Sequence, residues 1–323
     1  MSETVMRDNY VKTFQLEETA LRGRMVKLGS VMNEIIDQHG YPKPVAHLVA
    51  ESALLALLLS SMLKYEGVFT LQTSGDGPIS MIVSDVTSAG EVRACATFDE
   101  ERVEKARQQL AALETPDSSQ NQLAQYLGKG YIAFTVDQGG NTERYQGIVE
   151  LKGASLVDCV QHYFTQSEQI TTGIKMAAGE RGGMWRGGAI MLQRMPEEGG
   201  DQAPSNRANW DEDGWRRSMI LMDTCKDEEI LDPDLPADDI LMRLFHQEGV
   251  RVYEPLAVTK GCRCDVERVE NILMQMPAED REYAAEDGKI TMHCEFCSHD
   301  FVFDAKELER KIKAFEKSSD KQD

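Results

Sequence analysis

Alternation of apolar and polar residues predicts a series of β-strands in the first two thirds of the chain. Turn residues at 73–78 and 138–141 separate neighbouring apolar, β-branched runs, so two β-hairpins are expected there. The predicted strands cover residues 14–26, 68–71, 79–83, 91–98, 131–136, 144–151, 170–177 and 188–195.

Apolar residues with helical spacing predict helices between these strands, at residues 29–39, 45–63, 100–113, 120–127 and 155–165. Either Pro42 or Pro44 can begin the second helix, and its few charges predict a core helix that is buried over most of its surface. Because strands and helices come in clusters, we predict an α+β fold with a sheet-and-helix N-terminal domain, residues 1–196.

The composition changes after residue 196. Residues 197–240 contain 14 acidic and 4 basic residues, which is half of the formal net charge of −20. One interpretation is an ordinary helical linker with a solvated acidic face; the other is a segment whose self-repulsion makes its folding marginal, so that it acts as a hinge. We assign residues 197–257 to a metastable, acidic, helical linker, with a helix at 238–247 and an extended stretch at 250–253.

Four of the seven cysteines lie in one stretch near the C-terminus. Cys262 and Cys264 form a C-x-C pair, Cys294 and Cys297 form a C-x-x-C pair, and 29 residues separate the two pairs. Two close pairs of thiolates joined by a folded loop can complete a tetrahedral shell around Zn²⁺. We therefore predict that these four cysteines bind zinc in a small C-terminal module, residues 258–305, with a charged helical tail, residues 306–323.

The spacing of the first pair also suggests redox chemistry. Structural zinc sites usually place two to four residues between paired cysteines, and a disulfide across a single residue is strained and labile. Oxidation would form two local disulfides and eject the metal. A disulfide-bonded secreted module and a thioredoxin-like oxidoreductase using Cys294 and Cys297 are less favoured, because neither a secretory context nor a βαβ pattern is present. His293 and His299 adjoin the second pair but are not needed as ligands.

Charge and composition argue against several other classes of protein function. With 35 basic and 55 acidic residues, the chain is not expected to bind nucleic acid or anionic membranes. The N-terminal residues lack a signal-peptide pattern, and the most apolar run, 53–59, is too short to span a bilayer, so we expect a cytoplasmic protein. The scattered histidines match no catalytic motif, so no enzyme activity is expected. The isolated cysteines are expected to be small buried apolar residues: Cys95, Cys159 and Cys225.

Several segments resemble the Hsp33 family of redox-regulated chaperones. The resemblance is carried by the C-x-C pair and by AEDGKITMHCEFC at 285–297, with RLFHQEGVRVYEP at 243–255, SGDGPI at 74–79 and ERYQGIVEL at 143–151. It extends from about residue 14 to about residue 305, which is nearly the whole chain.

This resemblance implies a holdase that binds unfolding client proteins without ATP. In the reduced state, zinc bound by Cys262, Cys264, Cys294 and Cys297 would keep the protein inactive. Oxidation would pair Cys262 with Cys264 and Cys294 with Cys297, release zinc, unfold the linker and expose apolar surface. The family also implies a monomer when reduced and a homodimer when oxidised. The alternative is a constitutive protein-binding module in which the zinc is purely structural.

Overall fold

The computed structural model describes residues 7–112, 119–139, 145–194 and 212–319, and the chain divides into two compact units, Met1–Lys260 and Gly261–Asp323. The strands are β1 (Tyr10–Leu16), β2 (Leu21–Leu28), β3 (Val68–Gly75), β4 (Ile79–Thr87), β5 (Glu91–Phe98), β6 (Gly130–Asp137), β7 (Tyr145–Glu150), β8 (Thr172–Arg181), β9 (Met184–Arg194), β10 (Val250–Val252), β11 (Leu256–Ala257), β12 (Thr259–Lys260), β13 (Ala285–Glu286), β14 (Lys289–His293) and β15 (Asp300–Asp304).

The helices are α1 (Ser30–Asp37), α2 (Lys43–Ser60), α3 (Glu100–Ala111), α4 (Ser119–Leu127), α5 (Leu156–Tyr163), α6 (Glu212–Asp223), α7 (Asp227–Ile230), α8 (Ala237–Phe245), α9 (Val266–Gln275), α10 (Ala278–Ala284) and α11 (Ala305–Ser319). The predicted α+β class is therefore confirmed, and so are the predicted helices and both hairpins, with bounds that differ by a few residues.

One strand prediction is wrong. Residues 14–26 do not form a single strand; β1 and β2 pair as an antiparallel hairpin with Leu16 opposite Leu21. The turn between them contains no glycine or proline, and Ala20 adopts a left-handed backbone with φ of 51°. Because none of the usual turn residues is present, the apolar alternation alone did not reveal the reversal.

Two sheets pack on helix α2 in the first unit. The first sheet has the order β10-β1-β2-β9-β8, with β11 also paired to β1, and the second has the order β12-β5-β4-β3-β6-β7. Helix α2 contacts strands of both sheets. By length and composition α2 could cross a membrane, but 78% of that window is buried inside the protein. The prediction of a buried core helix is confirmed.

The first sheet is apolar on both faces. Along each strand, successive side chains point to opposite sides, so Val26 faces the core around α2 whereas Met25 faces a second core. Likewise Met191 belongs to the first core and Leu192 to the second. A sheet with two apolar faces needs a covering layer on each.

The second face is covered by the segment predicted as the linker. Its described residues, 212–257, lie within the first unit, whereas 197–211 lie outside the described residues. Phe245 of α8 is fully buried and stacks on Phe14 of β1, with ring centroids 6.1 Å apart. On Gly188 of β9, a Cβ atom would lie 2.6 Å from a side-chain carbon of Ile230, so a side chain there would obstruct this contact.

Polar contacts hold the same layer to the sheet. Lys27 of β2 is 1% exposed, and its ammonium group donates to the backbone carbonyls of Asp232, at 2.7 Å, and Leu235. Burial lowers the pKa of Lys27 from its ordinary value. Lys12 of β1 donates to the carboxylate of Asp238 at 2.6 Å. The acids of this segment are therefore partly engaged by cations of the sheet, and its metastability stays a prediction.

Candidate metal centre

The second unit has a small apolar core. A cluster of four buried side chains joins two helices and a strand: Leu273, Ile290, Leu308 and Ile312. Strands β14 and β15 form an antiparallel pair, and α11, in the segment predicted as a charged helical tail, packs on them through Leu308. So few buried side chains contribute little hydrophobic stabilisation, and domains of this size usually need a metal or disulfides.

The C-x-x-C pair occupies the turn between β14 and β15. The backbone N–H of Cys294 donates to the carbonyl of His299 at 2.9 Å, and that of Ser298 donates to the carbonyl of Cys294 at 2.8 Å. Ser298 has a positive φ of 54°, which tightens the turn. These bonds direct Cys294 and Cys297 to the same side of the turn, as metal-binding cysteine turns require.

The C-x-C pair lies in the loop that precedes α9. Asp265 caps this helix by accepting a hydrogen bond from the backbone N–H of Arg268 at 2.7 Å. The helix begins at Val266, two residues after Cys264, so both cysteines lie outside it.

The four predicted cysteines are brought together. All four Sγ atoms lie within 4.8 Å of one another, and among the described residues this is the cluster suited to a metal ion. Sγ of Cys262 lies 3.2 Å from that of Cys264 and 3.7 Å from that of Cys294, and the Cys264 to Cys297 distance is 3.4 Å. Four sulfurs bound tetrahedrally to Zn²⁺ would lie about 3.8 Å apart, given Zn–S bonds of about 2.3 Å. The cluster could hold a metal ion of that kind.

Burial and hydrogen bonds within the cluster shift the pKa values of three of these thiols. Burial disfavours the thiolate of Cys262, but hydrogen bonds from the backbone of Cys264 and from the neighbouring thiols outweigh burial and lower the pKa of Cys262 to about 7. Burial is the largest cause that raises the pKa values of Cys264 and Cys297. A bound cation would favour the thiolate form of all of them, because metal ligation requires deprotonated sulfur.

The neighbouring histidines have other partners. Nδ1 of His293 lies 2.7 Å from a carboxylate oxygen of Asp300, and the ring of His299 packs edge-on against Phe301 with centroids 4.6 Å apart. Neither histidine belongs to the thiol cluster.

The isolated cysteines and histidines of the first unit behave as structural side chains. The three cysteines are buried, as predicted, and burial raises the pKa values of Cys159 and Cys225. His39 stacks on Tyr41, and Nε2 of His47 lies 3.4 Å from Glu51. No local pattern in the sequence indicates which face of the first unit residues 212–257 cover, or that Arg24 lines a cavity.

Comparisons with known proteins agree with this arrangement. The model of the family described as "Hsp33 protein" matches residues 9–304. The 33 kDa chaperonin of Caulobacter vibrioides is 34% identical over 307 residues, covering 94% of this chain and 97% of that protein. The 33 kDa chaperonin of Escherichia coli O7:K1 is 33% identical over 296 residues, covering 91% and 92%.

A solved structure shares the fold. The crystal structure of the 33 kDa chaperonin (heat shock protein 33 homolog) from Thermotoga maritima superposes with a TM-score of 0.73 and covers 94% of this chain and 98% of that one. Its sequence identity is 19%, so this likeness is one of fold. The family match spans both compact units and includes the four clustered cysteines, and the chain therefore belongs to the Hsp33 family of chaperones.

Proposed function

We propose that this protein is an ATP-independent holdase whose activity is switched on by oxidation of Cys262, Cys264, Cys294 and Cys297. The observation that carries the proposal is the meeting of four thiols in a unit with a small apolar core. The four thiolates would hold Zn²⁺, which would supply folding free energy of about 10–16 kcal/mol, as structural zinc does in other small modules.

The proposed oxidation forms two disulfides. Hydrogen peroxide takes two electrons from a pair of thiolates and one S–S bond forms. The O–O bond of the peroxide breaks, and its two oxygens take up two protons from solvent and leave as two water molecules. Two peroxides therefore oxidise Cys294 with Cys297 and Cys262 with Cys264. We expect the C-x-x-C pair to react first, because its disulfide ring is less strained. Once its ligands are oxidised, the module loses its metal and the stability that the metal supplied.

The surface that binds clients follows from the packing of the linker. Residues 212–257 cover an apolar sheet face that includes Phe14 and Met25. If the oxidised module no longer supports this segment, that face and the apolar side of the segment become available to unfolded chains. The net charge of −20 would help to keep such complexes in solution.

We extend the proposal to partners and location on the family resemblance. Unfolding client proteins are the expected partners, and a reduced monomer and an oxidised homodimer are the expected assemblies. The protein would be cytoplasmic, because the reducing environment of the cytoplasm keeps the thiols able to bind a metal ion. The excess of acidic residues supports the expectation that neither nucleic acid nor anionic membrane is a partner.

Light scattering from a thermally unfolding client tests the switch. We expect suppression of aggregation by protein treated with peroxide at mild heat, and none by reduced, zinc-loaded protein. A variant with Cys294→Ser and Cys297→Ser cannot form the C-x-x-C disulfide, and Cys95→Ser is its control. Equal suppression by reduced and oxidised wild type would overturn the switch and favour a constitutive binding module with structural zinc.

A further inference from the structure

A cavity of about 540 Å³ opens between the two sheets of the first unit, at the C-terminal end of α2. Its walls are mainly apolar and aromatic, with Phe69, Phe134 and Phe164 among them. Pockets of about 300–1,000 Å³ with such walls and a few polar groups are typical small-molecule sites. None of the four clustered cysteines and no described residue of the linker lines it.

The inner face of β2 carries an unexpected charge at this cavity. Val26 and Leu28 face the first core, and the alternation of the strand places Arg24 and Arg22 on the same side. Arg24 is 5% exposed, although inward positions of a sheet are normally apolar. Burying a cation is costly unless it is paired, so an inward arginine needs a partner.

Arg24 has no such partner within the described ranges. Its Nε and Nη1 atoms are buried and make no hydrogen bond there. Burial, followed by the nearby charge of Arg22, lowers the pKa of Arg24 to about 10, so the guanidinium is still charged at neutral pH. Among the described residues, Arg24 is therefore a cation without a hydrogen-bond partner beside an apolar cavity.

The charged side chains around the cavity favour the binding of an anion. Its lining includes four cationic side chains, those of Arg22, Arg24, Lys64 and Arg194, in a protein whose net charge is −20. Glu168 is the single acidic side chain that lines it within the described part of the chain, and its carboxylate accepts hydrogen bonds from the hydroxyls of two tyrosines: Tyr145 at 2.9 Å and Tyr163 at 2.8 Å.

We infer that this cavity binds a small amphipathic organic anion, a carboxylate with an aliphatic or aromatic body, with its carboxylate on Arg24 and its body against the phenylalanine side chains. A guanidinium offers planar donors that match a carboxylate, and such charge-assisted bonds are the strong ones. The apolar walls then select against small hydrophilic anions such as acetate. Arg22 adds positive charge beside the same end of the cavity.

Calorimetric titration of the reduced, zinc-loaded full chain with octanoate tests the inference, with octan-1-ol as a neutral ligand of the same length. We expect one octanoate per chain, at least tenfold weaker binding of octan-1-ol, and at least tenfold weaker octanoate binding by Arg24→Met. Arg24→Lys, which keeps the charge, should retain more binding than Arg24→Met. Arg102→Met, an exposed arginine that does not line the cavity, should bind like wild type.

The unliganded variants provide an independent readout. Replacing an unpaired buried cation by an apolar side chain of similar length should leave the melting temperature of Arg24→Met equal to or above that of wild type. Octanoate should raise the melting temperature of wild type and not that of Arg24→Met.

Failure of wild type to bind octanoate at millimolar concentration would overturn the inference, as would equal affinity of wild type and Arg24→Met. A large loss of stability in unliganded Arg24→Met would also count against it, because the arginine would then have a structural partner. Since the site uses neither the cysteines nor the linker, either outcome leaves the proposed holdase switch untouched.

Discussion

Phe245→Ala should activate the chaperone without oxidation. The Phe245 side chain is fully buried between α8 and the first sheet, and it stacks on Phe14. Truncation leaves helix α8 with a good helix former at its last position, so the change acts on the contact with the sheet. The thiol cluster of the second unit is not altered.

The expected loss of stability follows from the burial of the Phe245 side chain. Replacing a core phenylalanine by alanine costs about 3–5 kcal/mol, and this includes loss of a ring pair worth about 0.5–1.5 kcal/mol. If most of this falls on the docking of residues 212–257, the population of the undocked segment rises by a factor of roughly 100 to 4,000. The segment would then leave the sheet more often by the same factor.

Two measurements on reduced, zinc-loaded protein check this. Hydrogen exchange should accelerate in residues 212–248, and light scattering should show suppression of client aggregation without peroxide. Leu55→Ala is the control, because Leu55 is equally buried but lies in the core around α2, and its loss costs about 2–5 kcal/mol. It should weaken the fold without activating the chaperone.

If Phe245→Ala accelerates exchange in 212–248 but the reduced protein still fails to protect the client, exposure of this sheet face is not what creates client binding. Activation by Leu55→Ala to the same extent would also contradict it, because general destabilisation would then be sufficient.

Three further predictions concern the metal and pH. Cys294→Ser should lower the zinc content measured by atomic absorption, whereas Cys95→Ser should keep one zinc per chain; full, tight zinc in the first variant would contradict the ligand assignment. Chelation of metal from reduced protein should accelerate hydrogen exchange first in Gly261–Asp323, and equal protection with and without metal would argue against a structural role. A hydrogen bond to Glu51 raises the pKa of His47 above its ordinary value of 6.5. The protonated histidine therefore stabilises the folded protein fully below pH 6.5, and this stabilisation is lost as the pH rises through the pKa of His47 in the folded state. The melting-temperature advantage of wild type over His47→Gln should shrink as the pH rises above 6.5, and a constant difference would contradict the assignment.

Local features of this chain were predictable because they depend on nearby residues. Ser155 was expected to begin a helix, and it does so through a capping box with Asp158. The glycine-rich turn after Ser74 correctly indicated a hairpin. The reversal after Leu16 was missed, because its turn is imposed by pairing of β1 with β2 and not by turn residues.

The candidate metal centre was predictable for a related reason. The spacing of Cys294 and Cys297 restricts both thiols to one turn, so the sequence alone indicated that they approach a common point. The meeting of this pair with Cys262 and Cys264 depends on the fold of the intervening helices, and the distances between the pairs come from the structure.

The helices, hairpins and paired cysteines were predictable from the amino-acid sequence, because periodicity, turn chemistry and short spacings act over a few residues. The tertiary structure was needed to show that the acidic segment covers the first sheet, where Lys27 donates to a carbonyl 205 residues away along the chain. It was also needed to place Arg24 at a cavity, where its Nε and Nη1 atoms have no hydrogen-bond partner among the described residues. Both depend on contacts between distant parts of the chain, and no local pattern of residues specifies which distant surface a segment will meet.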